Sequence, residues 1–128
     1  MAHLLRRAGF GATGDQLNRY AALGYEATVE ELLNPPFGAP DDQDLMDRYF
    51  IASVEARSPG HAAPHWSWRL ATSKKPLEEK IALFWHGLLA VGGIKLDHGL
   101  EMLREIDLFR RHGLGPFRTL LQIGRAHV

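Results

Sequence analysis

A chain of 128 residues falls within the size of one domain and is long enough to bury a core of its own. Its 15 Lys+Arg offset its 15 Asp+Glu, so it lacks the basic footprint that drives phosphate binding, and no nucleic-acid partner is expected. Cysteine is absent, which excludes disulfides and thiolate chemistry, leaves His and carboxylates as the strong metal ligands, and sets no compartment.

The start, "MAHLLRRAGFGAT", puts an arginine pair after a very short apolar stretch, the wrong order and length for a signal peptide. No apolar run approaches the roughly 18 residues of a membrane span, so no membrane insertion is expected. Helical periodicity runs throughout and no alternating strand pattern competes with it. Thr13 precedes "GDQLNRYAAL" with Gln16 three residues on, which is capping-box spacing, and Gly24 suits the position just after that helix. "EATVEELL" predicts a second short helix, stopped by "NPP"; the stretch "NPPFGAPDD" is a connection, because adjacent prolines remove backbone donors. "DQDLMDRYFIASVEAR" reads as a longer helix and "HWSWRLATS" as a short aromatic one. Pro76 fits the first turn of "PLEEKIALFWHGLLAV". "DHGLEMLREIDLFRRHG" and "PFRTLLQ" are the last two helices. The fold class is therefore all-α, an irregular multi-helix domain or fragment. Residues 76–91 are its central helix, packed antiparallel to 97–113 because the connection "GGIKL" is short.

"LLRRAGFGAT" and "LFRRHGLGPF" echo one another. Both read as helix stops, with arginines complementing the helix dipole, Gly9 and Gly113 taking the left-handed conformation, and Phe10 or Leu114 folding back as the hydrophobic contact. The surrounding segments do not repeat, so the echo is two uses of one capping device.

Within the central helix, Leu77, Ile81, Phe84, Trp85 and Leu88 form the main apolar face at about 100° per residue. His86 falls on the other side with Glu79, Ala82, Leu83 and Ala90, which is also small and apolar beyond the first turns. A helix apolar nearly all round is buried, so His86 is expected inside, with burial lowering its pKa unless a carboxylate approaches. A hydrogen-bonded core histidine outweighs a ligand or catalytic role at this position. Trp85 is expected to be strongly buried, as is Phe109, and Trp85→Ala to cost about 3–5 kcal/mol.

In the next helix, Met102, Leu103, Ile106 and Phe109 make the core face, and a separate stripe carries His98, Glu101, Glu105 and His112. Such side chains converge on a metal in some helical bundles, but no Glu-x-x-His pair is present, and a solvated flank is the favoured reading. Arg110 lies in the apolar sector. A buried guanidinium needs an acceptor, for which Asp107 and Glu79 are the candidates; a head snorkelling to water at the helix end is the equal alternative.

"HLLRRAGFGAT" followed by "PLEEKIALFWHGLLAVGGIKLDHGLEMLREIDLFRRHGLGPFRTLL" resembles the bacterial proteins of the domain of unknown function 1800 family. The pattern rests on Phe-Trp-His at 84–86 and Arg-Arg-His at 110–112, with the tryptophan-rich "HWSWRLATS" between the two blocks. The resemblance implies a large, mainly helical, exported bacterial protein of unassigned activity. It also implies a further helical segment, with Pro-Asn-Glu-Asn and Glu-Leu-Leu-Glu stretches that this chain does not contain. Glu105 departs from the pattern, since relatives commonly have Gln there.

The ending "IGRAHV" is similar to what one reading frame of a common sequencing adaptor encodes. On that reading residues 1–122 are the N-terminal portion of one helical domain from a metagenomic gene fragment. Residues 123–128 are then a non-native tail, His127 is struck from the ligand candidates, and the partner is the missing C-terminal segment of the same polypeptide. A natural helix stop at Gly124 with a short frayed tail is the alternative. The binding candidates are His86, Glu105, Arg110, Arg111 and His112, with His86 and His112 as the metal candidates. Two functional classes follow. One is a metal- or small-ligand-dependent enzyme, its divalent cation held partly by these residues and its site completed by the missing segment. The other is a non-catalytic helical module for assembly or surface binding, with the histidines as internal partners.

Overall fold

The structure, a computed structural model, describes residues 1–35, 62–89 and 99–125, and every element in them is a helix. In chain order these are α1 (Ala2–Ala8), α2 (Gly14–Leu23), α3 (Tyr25–Leu33), α4 (Ala62–Thr72), α5 (Pro76–Leu89), α6 (Gly99–His112) and α7 (Phe117–Arg125). The all-α expectation holds, and no strand occurs among the described residues. The helix expected over 42–57, the "GGIKL" connection, His98 and His127 lie outside the described residues.

The N-terminal cap forms as its spacing dictates. Gln16 N–H donates to Thr13 Oγ1 at 3.3 Å, while Thr13 N–H donates to Gln16 Oε1 at 2.8 Å. Gly24 ends α2 at φ +91°, a backbone that side-chain-bearing residues rarely adopt, and so turns the chain directly into α3. Thr28 locks this hairpin, because its fully buried hydroxyl donates to Gly24 O at 2.6 Å. Outside, Arg19 donates to both oxygens of Glu31 at 2.7 and 2.8 Å.

Helix α5 is central, packing against α1, α3, α4 and α6. It joins two cores. At its start Leu77 packs on Leu5, Ala8 and Leu32, which close α1 and α3 over it. Further along, Ala82 meets Trp66 of α4, Ile106 and Phe109 of α6, and Leu120 of α7. Each of these large side chains contributes about 1.5–3 kcal/mol through burial.

Three expectations need correction. The most deeply buried face of α5 is that of Glu79 and Ala82, both 0 % exposed; of the expected bulky row Leu77 and Trp85 pack against the cores, whereas Phe84 is 54 % and Leu88 63 % exposed. The small side chain lets neighbouring helices come close, and Glu79 has partners waiting there. Trp85 is only partly buried, because its ring lies at the edge of the core, stacked on Phe117 at 5.4 Å. Phe109 is buried as expected.

The third correction concerns the paired glycines. Gly9 is extended, at φ −159°, and Gly113 is not among the positive-φ glycines. Phe10 and Leu114 are exposed rather than folded back. What the two glycines share is closeness to α5. A Cβ on Gly9 would stand 2.9 Å from Pro76 Cβ, and one on Gly113 would stand 2.6 Å from Ile81 Cγ2 and 2.8 Å from Trp85 Cδ1. Trp85 Nε1 also donates to the Gly113 carbonyl at 2.8 Å.

Candidate functional site

The chemistry-bearing side chains gather where α4, α5 and α6 meet, around the carboxylate of Glu79. Placing Glu79 in the first turn of α5, three residues before Ala82, aims it into the core rather than at solvent. Arg110 reaches it from the last turn of α6, with Nε 2.6 Å from Oε1. The Arg110 N–H does not aim along that line, so the contact is charge pairing rather than a well-aligned hydrogen bond. Arg69, from the last turn of α4, brings Nε to 3.6 Å of the same oxygen. Trp66, one turn before Arg69, donates Nε1–H to Oε2 at 3.3 Å.

His86 lies two turns along α5 from Glu79 and is half-buried. Its ring meets Trp66 edge-on, with centroids 4.9 Å apart and planes at 83°. Burial pushes the imidazole below its ordinary pKa, since no charge compensates the water it loses. Its Nδ1 is buried and finds no hydrogen-bond partner among the described residues.

The remaining candidates spread along α6. Arg110 is almost wholly buried and also lies 3.4 Å from Asp107, so the ion-pair reading describes it and snorkelling does not. Arg111 is exposed and pairs with the other oxygen of Asp107 at 2.5 Å. Glu101 pairs with Arg104, as a solvated flank would. Glu105, expected on that same flank, instead has Oε2 fully buried. His112 is half-buried and makes no ion pair or ring contact among the described residues. His86 and Arg110 thus border one cluster, while Arg111 sits outside it.

Chemically the cluster is one carboxylate held by two guanidiniums and an indole N–H. Such a carboxylate accepts from the indole, faces two cations and is sealed from water, so it is suited to fixing helices and poorly placed to meet a substrate. Among the described residues, no three His, Asp or Glu side chains come together as a metal site would require. The metal-dependent reading finds no support in this arrangement. Sequence reasoning gave Glu79 as a candidate partner for Arg110 and as a neighbour of His86, but not as the centre of a cluster. The signal for its larger role was the i,i+3 spacing of Trp66 and Arg69, a donor pair on one side of a helix that carries no carboxylate of its own.

No helix among the described residues is long and apolar enough to cross a membrane. No curated protein and no solved structure matches the chain. The model of the family described as "Protein of unknown function (DUF1800)" matches residues 3–127, nearly the whole sequence. The match spans the Phe-Trp-His and Arg-Arg-His blocks, and the chain belongs to the DUF1800 family.

Proposed function

We propose that this chain is a non-catalytic helical module for assembly, in which the polar candidates are internal structural partners and the outer side of α5 is the working surface. One observation carries this reading, the orientation of α5. Its charged and small side, Glu79 and Ala82, is sealed inside, while Phe84 and Leu88 face out. A helix that spends its best anchors on solvent is normally reserving them for a partner. On this reading Arg110 is a fixing element, His86 a packing neighbour of Trp66, and Glu105, Arg111 and His112 are features of α6 with no ligand of their own.

Thermal unfolding and metal analysis of the untagged protein test the reading together. Phe84→Ser should change stability by no more than about 0.5 kcal/mol, as at an exposed site, whereas Trp66→Ala should cost about 3–5 kcal/mol as a core deletion. Phe84→Ser destabilising as much as Trp66→Ala would mean that α5 faces the other way. Stoichiometric metal that is lost in His86→Gln would replace the module by the metal-enzyme reading.

A further inference from the structure

The outer sides of α5 and α7 form one connected surface. Phe84 touches Trp85 with ring centroids 5.1 Å apart, and Trp85 stacks on Phe117 at 5.4 Å and 15°. One turn beyond Phe84 stands Leu88, and one turn beyond Phe117 stands Leu121; all four of these outer residues are about half exposed or more. Two ridges of apolar side chains at one-turn spacing, joined by an aromatic stack, are the surface against which a third helix packs.

The charged residues within the two ridges have one sign. Lys80, one turn before Phe84, holds its ammonium 4.8 Å over the Phe10 ring, and Arg118 follows Phe117. Neither is in an ion pair among the described residues. No Asp or Glu occurs from Lys80 to Leu89 or from Phe117 to Ile123, and none precedes Asp15 in the N-terminal segment that includes Phe10. Asp15, Glu26 and Glu30 are exposed on α2 and α3, while Glu78 at the start of α5 and Glu101 on α6 are already paired, with Lys75 and Arg104. A second copy of the chain meeting this face symmetrically would set Lys80 and Arg118 near their own equivalents, which is unfavourable. A partner with flanking carboxylates would neutralise them.

We infer that the α5–α7 face binds an acidic amphipathic helix, its apolar stripe on Phe84, Leu88, Phe117 and Leu121 and its carboxylates towards Lys80 and Arg118. This rests on the module reading and names the chemistry of the partner. The probe is a fluorescein-labelled designed helix of about 18 residues, long enough to hold several turns, with a leucine stripe flanked by Glu. A matched helix carries Lys at every Glu. By fluorescence anisotropy with the full chain at low salt, the Glu helix should bind at least about tenfold more tightly than the Lys helix. Raising the salt from about 50 to 300 mM should narrow that gap. Phe84→Ser should weaken binding of the Glu helix by about tenfold or more, in keeping with a central anchor. Because Lys80→Glu with Arg118→Glu alters exposed or partly exposed positions, it should leave the circular dichroism unchanged and reverse the preference to the Lys helix.

Equal affinity for the two helices, no binding of the Glu helix, or binding indifferent to Phe84→Ser overturns the inference. So does dimerisation of the chain that Phe84→Ser abolishes, or sedimentation with phosphatidylglycerol vesicles in preference to the Glu helix. In those cases the module reading stands or falls separately, on the melting of Phe84→Ser.

Discussion

Glu79→Gln isolates the charge at the centre of the helix junction. The amide keeps the volume of the carboxylate and can still accept from Trp66 Nε1, so neither a cavity nor an orphaned indole contributes. What is lost is the anion facing two guanidiniums that are only 9 % and 12 % exposed, those of Arg110 and Arg69. Breaking a buried pair from one side costs about 3–5 kcal/mol, since the remaining charge stays desolvated. Arg110 retains Asp107 at 3.4 Å, a partly exposed partner, which places the expected loss near the lower end, about 3 kcal/mol. For a chain of this size that corresponds to a fall in Tm of about 10 °C, read by calorimetry or by circular dichroism at neutral pH. Asp107→Asn serves as the exposed control and should cost no more than about 1 kcal/mol. Replacing both partners, Glu79→Leu with Arg110→Met, should recover part of the loss, because no charge of that pair is then stranded. A Tm within about 2 °C of the parent for Glu79→Gln, or a cost for Asp107→Asn as large as that for Glu79→Gln, would refute the reasoning.

His86 gives a pH signature. Its folded-state pKa lies below the unfolded value of about 6.5, so the stability gained by keeping it neutral is complete above that pH and is lost as pH falls through the lowered folded value. Chemical denaturation from pH 7.5 downwards should therefore show a decline below about pH 6.5 that is shallower in His86→Gln, and superimposable profiles would remove the histidine from the account. Gly113→Ala should cost about 1–3 kcal/mol by overpacking, because the new methyl meets the Phe109 carbonyl, Ile81 and Trp85 together. Gly9→Ala meets only the Pro76 ring at such close range among side chains and should cost less; equilibrium urea unfolding that ranks the two the other way would show that Gly113 is not the tighter contact.

Much of the helical framework was legible because its signals are local. The Thr13–Gln16 cap, the Gly24 turn and Pro76 at the start of α5 each depend on a few adjacent residues, and each forms as read. The centrality of α5 was legible from its apolar character on nearly every side. Its rotation was not, for the same reason: periodicity identifies the core face only when the other face is polar. The deciding groups, Trp66, Arg69 and Arg110, lie on other helices. Spacing likewise identified Gly9 and Gly113 as special, but could not distinguish a need for unusual backbone angles from a need for room. Glu105 was read as part of a solvated flank, whereas its Oε2 is buried; the spacing along one helix does not show which neighbouring elements cover it.

The buried carboxylate also bears on how many structures this sequence can adopt. With bulky apolar groups on one side and small ones on the other, α5 has two sides it could hide, and desolvation alone discriminates weakly between them. Rolling the helix about its axis to bury Phe84 and Leu88 would carry Glu79 away from Arg69 and Arg110 and would swing Ile81 and Trp85 out of the notch left by Gly113. Both penalties fall on the rolled state alone. The cluster therefore acts as a register key, making one rotation of a two-faced helix unique and keeping its aromatic side on the outside.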